Sequence, residues 1–111
     1  MERYPTSIYV PAVRMNLGRL YMNGAGMAQP DADRAAAQFL AVVKSKAAGV
    51  VDDALLEFAK SSIESGRFGE AKEAIAKLLA EFPDSEKAAE AARVREGLAR
   101  GWRTLREIYG N

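Results

Sequence analysis

Residues 55–83 read LLEFAKSSIESGRFGEAKEAIAKLLAEFP, from Leu55 to Pro83. Two helical stripes sit either side of a glycine. Val51, Ala54, Leu55 and Phe58 fall on one face of a helix predicted from Val50 to Ser65. Gly66 closes that helix. Ala71, Ile75, Leu78 and Leu79 repeat the pattern on a second helix from Phe68 to Glu81, which the Phe82-Pro83-Asp84-Ser85 turn ends because proline disfavours helical backbone at the residue before it. So short a connection makes the pair antiparallel. One pair cannot bury its own apolar stripe, so further helices are expected on either side.

They are legible in both directions. Upstream, a first helix is predicted from Ile8 to Met22, with Ser7 as cap, Pro11 in the first turn, and Val10, Val13, Leu17, Leu20 and Tyr21 as its apolar stripe. Asn23-Gly24-Ala25-Gly26 stops it. After Pro30, Asp31 or Asp33 caps a second helix whose stripe is Ala35, Phe39, Val42 and Val43 and whose end is Ala48-Gly49. Downstream, a fifth helix is predicted from Ser85 to Tyr109. Its inward residues are Ala88, Ala91, Leu98, Trp102, Leu105 and Tyr109, spaced by three and four apart from a gap at Arg95. Tyr4-Pro5-Thr6-Ser7 matches Phe82-Pro83-Asp84-Ser85, and Val10, Val13 and Leu20 match Ala88, Ala91 and Leu98 at a separation of 78 residues. The expectation is one all-α domain over residues 1–111: helix pairs 8–48 and 50–83, then a closing helix 85–109. The Tyr4–Ser7 turn reads as the exit of a preceding repeat, so the chain is expected to be a piece of a longer array.

Composition agrees. Twenty-one of the 111 residues are alanine, the best helix former, and no segment alternates with the period of a half-buried strand. Sixteen basic against fifteen acidic side chains give a net charge of +1, which supplies no electrostatic case for nucleic acid or an anionic membrane. The longest apolar run, Phe39 to Val43, is far short of the ~20 residues a membrane helix needs. The chain has no histidine and no cysteine, so the Ser/His and Cys/His catalytic arrangements and Cys-based metal sites are excluded. Neither a metal nor a cofactor is expected. The compartment, periplasm or cytoplasm, stays open.

The stretch from Leu55 to Pro83 resembles a tetratricopeptide repeat, on Leu55, Phe58, Ala59, Ala71, Ile75, Leu78 and Pro83, with Gly66-Arg67-Phe68-Gly69-Glu70-Ala71 similar to that family's inter-helix turn. Ser62 departs from it, because the family has a large aromatic there. The first pair resembles the Sel1-like variant, on Leu17-Gly18, Tyr21, Gly24, Gly26-Met27, Asp31, Arg34-Ala35, Phe39 and Ala47-Ala48-Gly49, with one residue inserted before Asp31. The Pro-Asp-Ser turn is also similar to turns in bacterial envelope repeat proteins, such as the outer-membrane assembly lipoproteins and the periplasmic partner of the Tol–Pal system. The resemblance spans about Tyr4 to Arg100. It implies a right-handed superhelix of five helices whose concave groove binds a partner protein or peptide. Carried over, that groove is lined by Met15, Asn16, Arg19 and Asn23, by Leu56, Glu57, Lys60 and Glu64, and by Arg93, Val94 and Arg100. Its Arg, Lys and Asn side chains suit backbone amides, acidic side chains or a terminal carboxylate.

Other features have plainer readings. Asp31 with Asp33, and Asp52-Asp53 with Glu57, are expected to be helix-terminal charges rather than catalytic carboxylates. Asn23-Gly24-Ala25-Gly26 lacks the preceding strand a phosphate loop needs, and reads as an inter-helix turn. Arg93, Arg95, Arg100, Arg103 and Arg106 alternate with Glu86, Glu90, Glu96 and Glu107, which predicts a salt-bridged solvated face. Arg95 stands at an offset held by Leu17 in the first helix; it either reaches out to solvent, the favoured reading, or marks a partner-facing edge. Trp102, Leu105 and Tyr109 form a large terminal stripe. It either folds back on the preceding pair or docks on a second copy, so the alternative function is an assembly element that self-associates through this helix as a homodimer.

Overall fold

The computed structural model describes residues 6–22, 31–46 and 49–110, with side chains described from Ala12 onward. It contains six helices: α1 (Thr6–Met22), α2 (Ala32–Ser45), α3 (Val51–Glu64), α4 (Phe68–Glu81), α5 (Ala88–Ala99) and α6 (Leu105–Gly110). No strand occurs among the described residues. Each helix packs on its neighbour in sequence, and α6 also returns to α3. The molecule measures 50 × 37 × 20 Å. No described helix is long and apolar enough to cross a membrane.

Helix α3 is the centre of the core. It meets α2, α4 and α6, so its sides are covered beyond a single stripe: Ala54, Leu55, Leu56, Phe58, Ala59, Ser61, Ser62 and Ile63 are all buried. Phe39 and Val42 face it from α2, and Ala71, Ala74, Ile75 and Leu78 from α4. Each large side chain of this set contributes roughly 1.5–3 kcal/mol by leaving water. The turn between α3 and α4 is a Schellman cap. Gly66 takes φ +81°, its N–H donates to the Ile63 carbonyl, and the Arg67 N–H donates to that of Ser62. Asp31 caps α2, accepting from the Arg34 N–H at 3.0 Å, while Asp33 lies inside the first turn.

Three expectations need correction. First, α1 begins at Thr6, so Ser7 is inside the helix and Pro11 lies beyond the first turn. Its packing face is also rotated from the predicted stripe. Val13 and Leu20 are 60 % and 51 % exposed, whereas Met15 is only 4 % exposed. The reason is Gly18. A Cβ there would lie 2.6 Å from the ring of the fully buried Phe39, so the bare backbone admits that ring and draws the Met15–Gly18 face inward. Second, the predicted closing helix is two helices. It breaks at Arg100–Thr104, where Gly101 takes φ +93°, its N–H donates to the Leu98 carbonyl and the Trp102 N–H donates to that of Gly97. Among the described residues six helices therefore stand where five were expected. Third, Leu56 (1 % exposed) and Val94, like Met15, belong to the core and line no surface. Covering α3 from several sides is what hides Leu56. Arg95, next to Val94, is exposed. The predicted turns at Asn23–Gly26 and Tyr4–Ser7 fall on or extend into residues outside those described.

Candidate functional site

Four of the polar residues left on α3 after core packing form a row: Asp53, Glu57, Lys60 and Glu64, at spacings of four, three and four. Basic side chains from both flanks reach that row. From α1, Arg19 binds Asp53 at 2.8 Å and approaches Glu57 at 3.9 Å. From the start of α5, Lys87 lies 3.7 Å from the other oxygen of Asp53. Lys60 bridges outward, 3.8 Å from Glu57 and 3.6 Å from Glu90 on α5. A mainly acidic row interrupted by Lys60, met by Arg19 on one side and by Lys87 and Glu90 on the other, thus forms one face spanning α1, α3 and α5. Its members are partly exposed, with 43 % of the Arg19 side chain accessible, so each pair adds well under 1 kcal/mol in stability. One buried acceptor, Asp53 Oδ1, has no hydrogen bond within the chain; Lys87 is near enough to pair with it electrostatically but not to donate.

Helix α6 closes one end of this face. Its first N–H, from Leu105, donates to Glu64 at 2.9 Å. Tyr109 donates its hydroxyl to Glu90 at 2.7 Å, and its ring lies 5.5 Å from both the Lys60 ammonium and the Arg93 guanidinium. Burial, reinforced by Glu90, pushes the phenol far above its ordinary range. Ile108 is 1 % exposed and fills a notch over Gly97, where a Cβ would meet it at 2.8 Å. A capping box holds the start of α6: Thr104 Oγ1 accepts from the Glu107 N–H, and Glu107 accepts from the N–H groups of Arg103 and Thr104. The Arg103 amide is foremost in holding the Glu107 carboxyl below its usual value.

Of the groove residues expected from sequence, Arg19, Glu57, Lys60 and Arg93 come together on this face, and Glu64 binds the backbone of α6. Asn16 is exposed on α1. Arg100 lies apart, paired with Glu96 at 3.0 Å and 5.8 Å above the Trp102 ring. Met15, Leu56 and Val94 are in the core, and Asn23 is outside the described residues. Trp102, Leu105 and Tyr109 all pack partly buried against this chain's own core. Sequence reasoning missed Asp53, Lys87 and Glu90. The signal for Asp53 was available, since it stands four residues before Glu57 on one helix face. Its reading as a helix-terminal charge obscured that.

Chemically, the face offers charge-assisted hydrogen bonds and little else. Among the described residues no three potential ligands cluster as a metal site. No protein-family model matches the sequence, and comparison with curated proteins and with solved structures finds none that is similar.

Proposed function

We propose that the chain is a non-enzymatic scaffold of the tetratricopeptide type that binds a partner protein or peptide across the polar face of α1, α3 and α5. In this reading α1–α2 is a Sel1-like pair, α3–α4 a tetratricopeptide pair, and α5 the first helix of a third unit. The observation that carries it is the alternation of charge across three helices, basic Arg19, acidic Asp53 and Glu57, then basic Lys87. An extended or helical segment with its own charged side chains can exchange these partly exposed internal pairs for equivalent intermolecular ones.

The test uses a displayed library of random dodecapeptides, selected on the wild-type chain and counter-screened on the triple variant Arg19→Glu, Lys60→Glu, Arg93→Glu. Selected peptides should bind the triple variant at least about tenfold more weakly, the loss of one or two charged contacts. The helical signal of the variant should stay native. Undiminished binding to the triple variant would assign the function to another surface.

A further inference from the structure

We propose that residues 100–104 are a hinge through which two copies of this chain exchange α6, each seating its terminal helix in the notch of the other. Three observations lead there.

The first is self-complementarity. Beyond its own capping box, what seats α6 lies on α3 and α5: the bare backbone of Gly97 beneath Ile108, Glu64 accepting from the Leu105 N–H, and Glu90, Lys60 and Arg93 around Tyr109. The inserted side chains, Leu105, Ile108 and Tyr109, all lie beyond the hinge, on α6. A second copy therefore carries both the seat and the segment that fits it, and an exchanged pair closes with twofold symmetry, leaving no seat empty.

The second is the hinge. Within the break, Gly101 is the residue with positive φ, and a Cβ placed on it meets nothing within 4 Å. No side-chain packing at Gly101 enforces the bend there. It rests on glycine's tolerance of left-handed backbone and on the two hydrogen bonds of the cap.

The third is the pattern across the break. Leu98, Trp102, Leu105 and Tyr109 are spaced four, three and four, so an unbroken helix keeps all four on one face. The same residues therefore suit two backbones, bent and straight. In the straight form Ile108 stands roughly 16 Å along the helix axis from Gly97, at 1.5 Å per residue, and cannot reach its own notch. Its own seat is vacated and its own apolar stripe uncovered. The occupant that matches both is another copy in the same state.

Gly101→Ala in the full chain is the decisive variant, because alanine penalises the left-handed bend and favours the straight helix. The gain is about tenfold per hinge, and about a hundredfold on the dimer dissociation constant since each dimer holds two hinges. Sedimentation velocity from low micromolar to near-millimolar should show this shift toward dimer. Adding Ile108→Asp should abolish the dimer. To separate exchange from side-by-side association, Glu64→Cys and Leu105→Cys are introduced into this cysteine-free chain and joined with a short bismaleimide. Exchange predicts covalent dimers. A Gly101→Ala chain of native helicity that stays monomeric overturns the proposal, as do dimers whose cross-links all lie within one chain. Should Gly101→Ala fail to fold, the cysteine pair in the otherwise wild-type chain decides alone. Interchain links that grow with concentration support exchange, and purely intrachain links at every concentration overturn it.

Discussion

Two glycine turns end helices in this molecule with almost the same geometry. Gly66 at φ +81° closes α3 and Gly101 at φ +93° closes α5, each with the paired hydrogen bonds of a Schellman cap and each with open space where a Cβ would stand. One is readable in the sequence and the other is not. After Gly66 the apolar phase restarts, at Ala71, Ile75 and Leu78, so the helix pattern itself announces a break. Through Gly101 the phase runs on unbroken to Tyr109. A left-handed glycine thus permits a turn in both places. What differs is whether the flanking side chains require one, and at Gly101 the requirement comes from a remote site, the notch over Gly97 that receives Ile108.

Truncating a buried side chain on each side of the comparison should expose this difference most strongly. Leu78→Ala, which truncates a fully buried side chain in the last turn of α4, is expected to cost about 3 kcal/mol in urea unfolding and to lower protection of every helix together. Ile108→Ala removes an equally buried side chain, yet α6 can detach by itself. Its cost should be nearer ~1–2 kcal/mol, with amide exchange accelerated in α6 while α3 and α4 keep their protection. Equal global losses would show that α6 is as integral to the core as α4.

The glycines themselves provide a smaller effect. Gly66→Ala should destabilise by about 1–2 kcal/mol, since the chain has no alternative to a left-handed residue there. Gly101→Ala, measured where the chain is monomeric, should cost less, because straightening the helix relieves the strain at the price of α6 docking alone. A larger loss at Gly101 than at Gly66 would mean that the bend is as firmly required as the α3–α4 turn.

The smallest effect is a pH dependence at the tip of α6. Tyr109 is held protonated in the folded chain while its unfolded value is near 10. Above that pH the unfolded state sheds a proton that the folded state keeps, so stability present below about pH 10 is lost as pH rises further. Tyr109→Phe removes the hydrogen bond to Glu90 and should lower stability by about 1 kcal/mol at pH 8. The gap between wild type and variant should then narrow above pH 10 in thermal melts. A gap that is constant with pH would place the hydroxyl in water rather than against Glu90.

The polar face follows the same division. That Asp53, Glu57, Lys60 and Glu64 share one face of a helix is a matter of spacing and needs no structure. That Lys87 and Glu90 meet them, and that Leu56 does not, depends on which sides of α3 its neighbours cover. Met15 and Gly18 make the same point in α1. Hydropathy ranks Val13 and Leu20 as the inward face, but the fit of a bare backbone against the Phe39 ring outweighs two exposed aliphatic side chains.

From the amino-acid order alone follow the all-helical class, the bounds of α3 and α4 to within a residue, the glycine turn between them, and the absence of histidine and cysteine chemistry. These are local properties, decided by propensity, period and caps within a few residues of each position. Only the tertiary structure decided the rotation of α1, the burial of Leu56 and Val94, and the bend that returns α6 to the molecule. Each of these turns on shape complementarity between segments distant in sequence. The notch that seats Ile108 and the bare backbone of Gly18 are absences of side chain, and a hydrophobic pattern records only the side chains that are present.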